Sequence, residues 1–376
     1  MKNIRKIGII GSGKMGSDIA SLFEEREIPL VMVTENSAEK ERHESLRDRR
    51  LGRLVKNGLI AADELDKKKG GFIVSDNFGA LAGCDLVIEA VPEAAALKQD
   101  IFGRVEKFAD SGAILATNSS SIDPSVVFAR VVKKDRCAGL HFFYPARLKN
   151  IMELIHFSAT SSETVGSISE FFSSLGRRFI TLPESEGFIL NRVFLDFQAL
   201  GFWLHLERGI SVTAIDNAVR KDLFPDGLFS FFDSVGLDVM LSSIREYARK
   251  APSELYRPMI AGLGRMTAAG MLGRKSGRGF YDYGPESGDM GAVENPDAAS
   301  ALDLLRAAYI NGAFRFIERK ACTAEEMDYS IAEYMGVDAG PVALAASLGH
   351  EKILAGLYRA RQMTGSDNFI PSALLG

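Results

Sequence analysis

The chain is poor in the residues that cross-link small secreted domains or bind metal ions. It contains three cysteines and five histidines among 376 residues. The cysteines are Cys84, Cys137 and Cys322, an odd and widely spaced set that fits neither a disulfide framework nor a metal-ligand pattern. We therefore expect reduced thiols, a reducing compartment and no metal.

Long apolar runs and a strong net charge are also lacking. No apolar run approaches the roughly 18 residues that a membrane span requires. The N-terminal sequence becomes strand-like too soon for a signal peptide. The net charge of -4 provides no general attraction to nucleic acid or anionic membrane. With 46% hydrophobic and 25% charged residues, the composition predicts a soluble, cytoplasmic protein of two or three domains, with neither nucleic acid nor membrane as a partner.

The first informative motif is a glycine-rich turn between a strand-like run at 4–10 and a helix-like run at 14–26. It reads G-x-G-x-x-G, in which the glycines permit the tight turn, the approach of a pyrophosphate and close helix–strand packing. The helix N-terminus adds free N–H groups and a positive dipole end. The cofactor contacts predicted here are Gly11, Gly13, Lys14, Met15 and Gly16.

The second strand, at 30–33, should end in an acid that binds the adenosine ribose of NAD. Thr34 stands there, so we expect Glu35, one residue later, to reach the ribose. The charged, helix-like segment 38–69 follows. It is either a solvated helix face or a basic patch for a phosphate-rich ligand such as coenzyme A, or for the additional phosphate of NADP.

Strand-like and helix-like runs then alternate, which predicts a mostly parallel sheet with helices on both faces. The strands are expected at 72–74, 85–89 and 113–117, with a helix at 94–109. A polar run, Asn118 to Ser121, follows the last of these strands. Ligands of such sheets bind at the carboxyl ends of strands, so this run is either part of the site or only a loop before the helix at Asp123.

A histidine and a glutamate lie in two apolar runs farther along. His141 follows residues 137–140, and Glu153 is embedded in residues 151–155. Burying a carboxylate is unfavourable without a partner. An imidazole is a suitable partner, and such a pair makes a general base that works near neutral pH. The alternative is a hydrogen-bonded histidine in the core.

The C-terminal half has a helical pattern that begins at 186–208. Segment 207–241 resembles segment 318–354, which predicts a duplicated helical unit. Residues 284–297 look like a linker. The predicted domains are 1–184, 185–284 and 297–376, that is, an α/β Rossmann-type doubly wound sheet followed by an all-α region of two repeated helical units.

Six spaced motifs together resemble the L-3-hydroxyacyl-CoA dehydrogenase family over nearly the whole chain. They are IGIIGSGKMG, DLVIEAVPE, LATNSSSI, GLHFFYP, EGFILNR and GRKSGRGFYDY. The resemblance implies reversible oxidation of a 3-hydroxyacyl-CoA with hydride transfer to NAD. It implies His141 as general base, Glu153 as its orienting acid, and Ser120 and Asn191 as hydrogen-bonding groups. It places Glu93, Lys98 and Asn118 near the cofactor.

The resemblance also bears on partners. Shorter members pair through their helical domains, so a second unit in one chain predicts a monomeric pseudo-dimer, with a homodimer as the alternative. An enoyl-CoA hydratase is a conceivable pathway partner. Two other functions stay open: a dehydrogenase of a free hydroxy acid, such as a sugar acid or carnitine, and a non-catalytic nucleotide-binding relative. Tyr144 departs from the family's asparagine, and Gly227-Leu228 departs from its glycine–proline.

Overall fold

The computed structural model describes residues 2–61, 63–284 and 296–376. The chain divides into two compact units, Met1–Gly187 and Phe188–Gly376. Within the described residues, no helix has both the length and the apolar character needed to cross a membrane.

The first unit is built on one eight-stranded sheet, ordered β3-β2-β1-β4-β5-β6-β7-β8. Its strands are β1 (Ile7–Ile10), β2 (Leu30–Val33), β3 (Phe72–Ser75), β4 (Leu86–Glu89), β5 (Ile114–Thr117), β6 (Cys137–Phe142), β7 (Ile151–His156) and β8 (Arg178–Pro183). The pairings from β1 to β6 are parallel, β7 is antiparallel to β6, and β8 is parallel to β7. The predicted Rossmann-type sheet is confirmed.

Helices cover both faces of this sheet. They are α1 (Lys14–Glu24), α2 (Ser37–Lys56), α3 (Glu64–Gly71), α4 (Ala95–Phe108), α5 (Pro124–Val127) and α6 (Ser162–Ser174). Side chains alternate across the sheet, so Ile9 joins a core cluster with Phe23 of α1, whereas Ile10 joins another with Phe102 of α4. Burial on both faces explains why the central strands are continuous apolar runs.

Several element bounds differ from the sequence prediction. The single helix expected at 38–69 is two helices, because α2 ends at a turn in which Gly58 has φ +66°. Strand β1 begins at Ile7 rather than residue 4, and β6 continues through His141. Helix α6 and strand β8 were not predicted.

The second unit is helical. Its helices are α7 (Ile189–Arg192), α8 (Leu195–Arg208), α9 (Val212–Asp222), α10 (Leu228–Val235), α11 (Leu237–Lys250), α12 (Arg257–Ala268), α13 (Pro296–Glu318), α14 (Ala324–Met335), α15 (Pro341–Leu348) and α16 (His350–Thr364). The helical pattern expected at 186–208 forms two helices rather than one. Phe188 precedes α7 with φ +63°, and α8 begins only at Leu195.

One aspartate arrangement occurs twice in this unit. Asp216 of α9 accepts N–H bonds from Phe229 and Ser230, at 2.7 and 2.9 Å, at the start of α10. Asp328 of α14 accepts N–H bonds from Val342 and Ala343, at 2.6 and 2.9 Å, at the start of α15. A glycine with positive φ then joins each short helix to the next, with φ +108° before α11 and +80° before α16. The duplicated sequence pattern therefore coincides with a recurring structural device.

Most of the predicted linker, residues 285–295, lies outside the described residues. Its last two residues are the start of α13, so the linker prediction is wrong at that end. Helix α13 packs against α8 and α9. Within the second unit, the segment α13–α16 is therefore in contact with the segment α8–α12.

Candidate active site

A buried histidine–glutamate pair is the centre of the site. His141 of β6 and Glu153 of β7 are register partners in the antiparallel ladder, which puts their side chains side by side on one face of the sheet. His141 Nδ1 lies 2.7 Å from Glu153 Oε2. Glu153 is 0% exposed and His141 5%. With an ionised carboxylate as acceptor, Nδ1 carries the proton and Nε2 presents the lone pair of a base.

The surroundings of the histidine are closely packed. The Phe143 ring centre lies 4.5 Å from that of His141. Gly139, two residues before the histidine, has little room for a side chain, since a Cβ would lie 3.0 Å from both Pro124 and Ile155. Asn118 Oδ1 accepts the N–H of Phe142 at 2.9 Å, which links the polar run after β5 to the histidine strand.

The serine run folds around one carboxylate. Glu93 Oε1 accepts the Ser119 hydroxyl at 2.6 Å and the backbone N–H groups of Ser120 and Ser121, each at 3.0 Å. Burial alone would raise the pKa of Glu93. The Lys98 ammonium and the hydrogen bonds from Ser119 and Ser121 outweigh burial and hold that pKa below its usual value. The geometry gives Glu93 a direct part in shaping the turn that presents Ser120.

Lys98 is buried with two acids. Its ammonium lies 2.7 Å from Glu89 Oε1 and 3.2 Å from Glu93 Oε2, and its side chain is 1% exposed. Thr117 donates to the other oxygen of Glu89 at 2.7 Å. Lys98 therefore ties the end of β4 to the serine turn. Glu89 and Thr117 were not predicted as site residues, although an acid at the end of the apolar run in DLVIEAVPE was a signal for such a partner.

The glycine loop has the shape of a dinucleotide cradle. Gly11 has φ +103°, and a side chain there would collide with the backbone of Ala90. A side chain on Gly16 would collide with the carbonyl oxygen of Gly11. A Cβ on Gly13 would meet nothing within 4 Å, and this residue precedes the first turn of α1. Helix N–H groups next to open space fit a pyrophosphate.

Tyr144 reaches this cradle. The Lys14 ammonium lies 3.9 Å from the centre of the Tyr144 ring, a cation–π contact. Tyr144 is about half exposed. Met15, also predicted as a cofactor contact, is partly buried and packs against the core cluster that contains Ile9 and Phe23.

The end of β2 differs from the sequence expectation in its details. Thr34 is buried, and its hydroxyl lies 3.0 Å from the carbonyl oxygen of Asn36. Glu35 is exposed. A third residue, Glu39 of α2, contacts the glycine loop, because the Ser12 hydroxyl donates to its Oε2 at 3.1 Å. Glu39 was not among the predicted site residues.

Asn191 lies in α7, in the second unit. Its Nδ2 lies 3.1 Å from the Tyr247 hydroxyl, and the Tyr334 hydroxyl lies 3.2 Å from its Oδ1. Tyr247 belongs to α11 and Tyr334 to α14, so each helical segment contributes one contact to the amide. Nothing in the sequence signalled these two tyrosines, because the contacts join residues 56 and 143 positions apart.

Several cations of the charged segment 38–69 are engaged in ion pairs within the protein. Arg47 pairs with Glu24 of α1 at 2.9 Å, Arg50 pairs with the same carboxylate, and Lys69 lies 2.8 Å from Asp48. These cations hold α2 against neighbouring elements. Arg49 and Arg53 are exposed on the same helix. The coenzyme A patch therefore stays a prediction with fewer cations than the sequence suggested.

Two family models match the chain. Residues 6–185 match the NAD-binding domain of 3-hydroxyacyl-CoA dehydrogenase, and residues 187–283 match its C-terminal domain. A probable 3-hydroxyacyl-CoA dehydrogenase of Caenorhabditis elegans is 32% identical over 75% of this chain and 97% of its own length. The mitochondrial hydroxyacyl-coenzyme A dehydrogenase of Rattus norvegicus is 31% identical over 74% of this chain and 91% of its own length.

The chain is also similar to two solved structures and to part of a longer relative. The (S)-3-hydroxybutyryl-CoA dehydrogenase of Ralstonia eutropha has a TM-score of 0.67 at 31% identity, over 75% of this chain and 100% of its own. The 3-hydroxybutyryl-CoA dehydrogenase of Escherichia coli has a TM-score of 0.86 at 22% identity, over 100% of this chain and 98% of its own, which supports the fold. The match to a multifunctional protein of Brassica napus spans 38% of that protein. The chain belongs to the 3-hydroxyacyl-CoA dehydrogenase family.

Proposed function

We propose that the chain catalyses the reversible oxidation of a (S)-3-hydroxyacyl-CoA to the 3-oxoacyl-CoA, with NAD as hydride acceptor. The observation that carries the proposal is the buried His141–Glu153 pair, with 2.7 Å between Nδ1 and Oε2. The substrate class is that of the relatives, which are hydroxyacyl-CoA and 3-hydroxybutyryl-CoA dehydrogenases. The cofactor follows from the NAD-binding domain of the family.

His141 acts as the general base. Its Nδ1–H is held by Glu153, so the proton of the substrate hydroxyl is taken up by Nε2. The resulting imidazolium lies beside a carboxylate that is itself 0% exposed, so the positive charge is offset locally. In the reverse direction the same imidazolium returns the proton. NAD, when bound, would accept the hydride, and NADH would supply it in the reverse direction.

Ser120 and Asn191 hydrogen-bond the reacting oxygens in this proposal. Ser120 is presented by the turn that Glu93 organises, and Glu93 is therefore a positioning residue. Asn191 is oriented by the hydroxyls of Tyr247 and Tyr334. Donors fixed in advance stabilise charge as it develops without reorganising during the reaction.

In this proposal the glycine loop holds the cofactor through the residues predicted from the sequence, Gly11 to Gly16. The support is the crowding at Gly11 and Gly16 against the open space at Gly13. The Lys98–Glu93 pair and Asn118 shape the neighbouring carboxyl ends of β4 and β5. A parallel sheet binds its ligands at this edge.

The test is an assay of acetoacetyl-CoA with NADH on the wild type, His141→Ala and Glu153→Gln. We expect turnover by the wild type and a loss of about 10²–10⁴-fold in His141→Ala. A rate within about tenfold of wild type in His141→Ala would reject the base assignment. Turnover of a free hydroxy acid, such as a sugar acid or carnitine, without turnover of the thioester would instead support the alternative substrate class. Absence of both would support a non-catalytic nucleotide-binding protein.

We further propose an internal pseudo-dimer, in which segment 297–376 takes the place that a partner's helical domain has in shorter relatives. Support comes from the recurring Asp216 and Asp328 arrangement and from the packing of α13 on α8 and α9. Light scattering should give the mass of one chain. A homodimer that forms through the α8–α12 segment would contradict it.

We also propose a cellular location and a pathway partner for this protein. We place the protein in the cytoplasm, for which the support is three buried cysteines, two of which have thiols whose pKa burial raises to about 11 (Cys84) and about 12 (Cys137). An enoyl-CoA hydratase is proposed as a pathway partner, because hydration of an enoyl-CoA produces the 3-hydroxyacyl thioester.

A further inference from the structure

The end of β2 supplies no carboxylate. Thr34 stands where the ribose-binding acid is expected, and its side chain is turned into the protein. Its hydroxyl lies within hydrogen-bonding distance of the carbonyl oxygens of Asn36 at 3.0 Å and Ser75 at 3.3 Å. Glu35, one residue later, is exposed. The acid of an NAD site at the glycine loop therefore comes either from Glu35 or from another element.

Glu39 brings a carboxylate to that loop from helix α2. Asn36 caps this helix by accepting the Glu39 N–H at 3.0 Å, which fixes Glu39 in the first turn. Its Oε2 accepts the hydroxyl of Ser12 at 3.1 Å. Ser12 is the second residue of the glycine motif, between Gly11 and Gly13. Glu39 thus lies beside the loop itself, and its side chain is one-third exposed, so a ligand can reach it.

Glu39 lies in the first turn of α2, beside groups that complement a carboxylate. An anion in the first turn of a helix interacts favourably with the helix dipole. Two cationic or titratable side chains of the same helix face Glu39: Arg42 at 3.2 Å and His43 at 3.8 Å. An ionised carboxylate only accepts hydrogen bonds, so it complements the two hydroxyls of a ribose and repels a phosphate.

We propose that Glu39 is the acid that binds the adenosine ribose, and that it selects NAD over NADP from α2 rather than from the end of β2. The inference rests on the proposed cofactor site at the glycine loop and adds a residue to it. Glu39 is 23 positions beyond Gly16 and Glu35 is 19, so both fit the roughly 20 that separate motif and acid in such folds. The contact with Ser12 is what favours Glu39.

Calorimetric titration with ADP-ribose and 2′-phospho-ADP-ribose tests the assignment without any turnover. The wild type should bind ADP-ribose more tightly. In Glu39→Gln we expect ADP-ribose to bind about tenfold more weakly, because a hydrogen bond to a charged group is lost. The ratio of the affinities for ADP-ribose and 2′-phospho-ADP-ribose should also decrease. Glu41→Gln is the matched control, since Glu41 is an exposed acid of the same helix. It should change neither affinity by more than about twofold, as is usual for an exposed site.

Four results would overturn the proposal. Weakened ADP-ribose binding in Glu35→Gln, with none in Glu39→Gln, would return the role to Glu35. A wild type that prefers the phosphorylated probe, and loses this preference in Arg42→Gln, would make this an NADP site. If neither probe binds the wild type, both the proposed cofactor site and the role of Glu39 are wrong. If the wild type binds ADP-ribose and Glu39→Gln binds it equally well, only the role of Glu39 is wrong.

Discussion

His141 and Glu153 lie directly opposite each other on antiparallel strands, and their side chains meet at 2.7 Å in the interior. The pairing depends on the one reversal of strand direction between β6 and β7. In Glu153→Gln, the buried amide can no longer offset an imidazolium, so we expect kcat to fall by about 10²-fold or more. Measured against His141→Ala and the double variant, the two losses should not add, because the residues act as a unit. Additive losses would mean independent roles.

Removing Lys98 should destabilise the first unit strongly. Lys98→Met leaves Glu89 and Glu93 without their cation in a buried site, at a cost of about 3–5 kcal/mol. Chemical denaturation monitored by circular dichroism would give the shift. Lys107→Met is the control, because Lys107 is exposed on the same helix, α4. Equal effects of the two substitutions would contradict a structural role for the buried ion pair.

Glu93 should make the stability depend on pH. Since the folded protein holds its pKa below the ordinary 4.5, ionised Glu93 stabilises the fold above that pH. This contribution is lost as the pH falls below 4.5 through the lower folded value. Glu93→Gln should therefore be less stable at neutral pH and lose less on acidification than the wild type. Urea unfolding midpoints measured at several pH values would show this difference. Midpoints of the wild type and Glu93→Gln that change in parallel with pH would refute it. Glu170→Gln, an exposed acid of α6, serves as the control.

Two glycines of the cofactor loop should respond differently to alanine. Gly13→Ala adds a methyl group in open space, so we expect an unchanged fold but NADH binding weakened by about tenfold or more, since the pyrophosphate approaches there. Gly16→Ala forces a clash with Gly11 and should lower the melting temperature as well. Fluorescence titration with NADH and thermal melts separate the two effects. Full NADH affinity in Gly13→Ala would place the cofactor elsewhere.

Tyr334 should act through Asn191. Tyr334→Phe removes the hydroxyl 3.2 Å from Asn191 Oδ1, and one such hydrogen bond corresponds to a change in kcat of roughly 2–12-fold. The same substitution in an Asn191→Ala background should cause no further loss. Tyr358→Phe, on an exposed tyrosine of α16, is the control. A lower melting temperature with unchanged kcat would show that Tyr334 only packs.

The sequence by itself determined the local features of the protein. Strands β1 to β5, the glycine loop, the histidine and its candidate acid could be predicted, because apolar runs, glycine geometry and buried carboxylates follow rules that act within a few residues. The bounds of α2 and α7 could not, since Gly58 and Phe188 adopt left-handed backbone geometry that the helical pattern does not reveal.

Only the tertiary structure decided which polar groups meet. The strand register opposed His141 to Glu153, the ends of β4 and β5 gathered Lys98, Glu89 and Glu93, and the packing of α14 brought Tyr334 to Asn191. It also brought Glu39, a residue that the sequence had not indicated, into contact with the glycine loop. Such contacts join residues far apart in the chain. They depend on burial and geometry that no local pattern encodes.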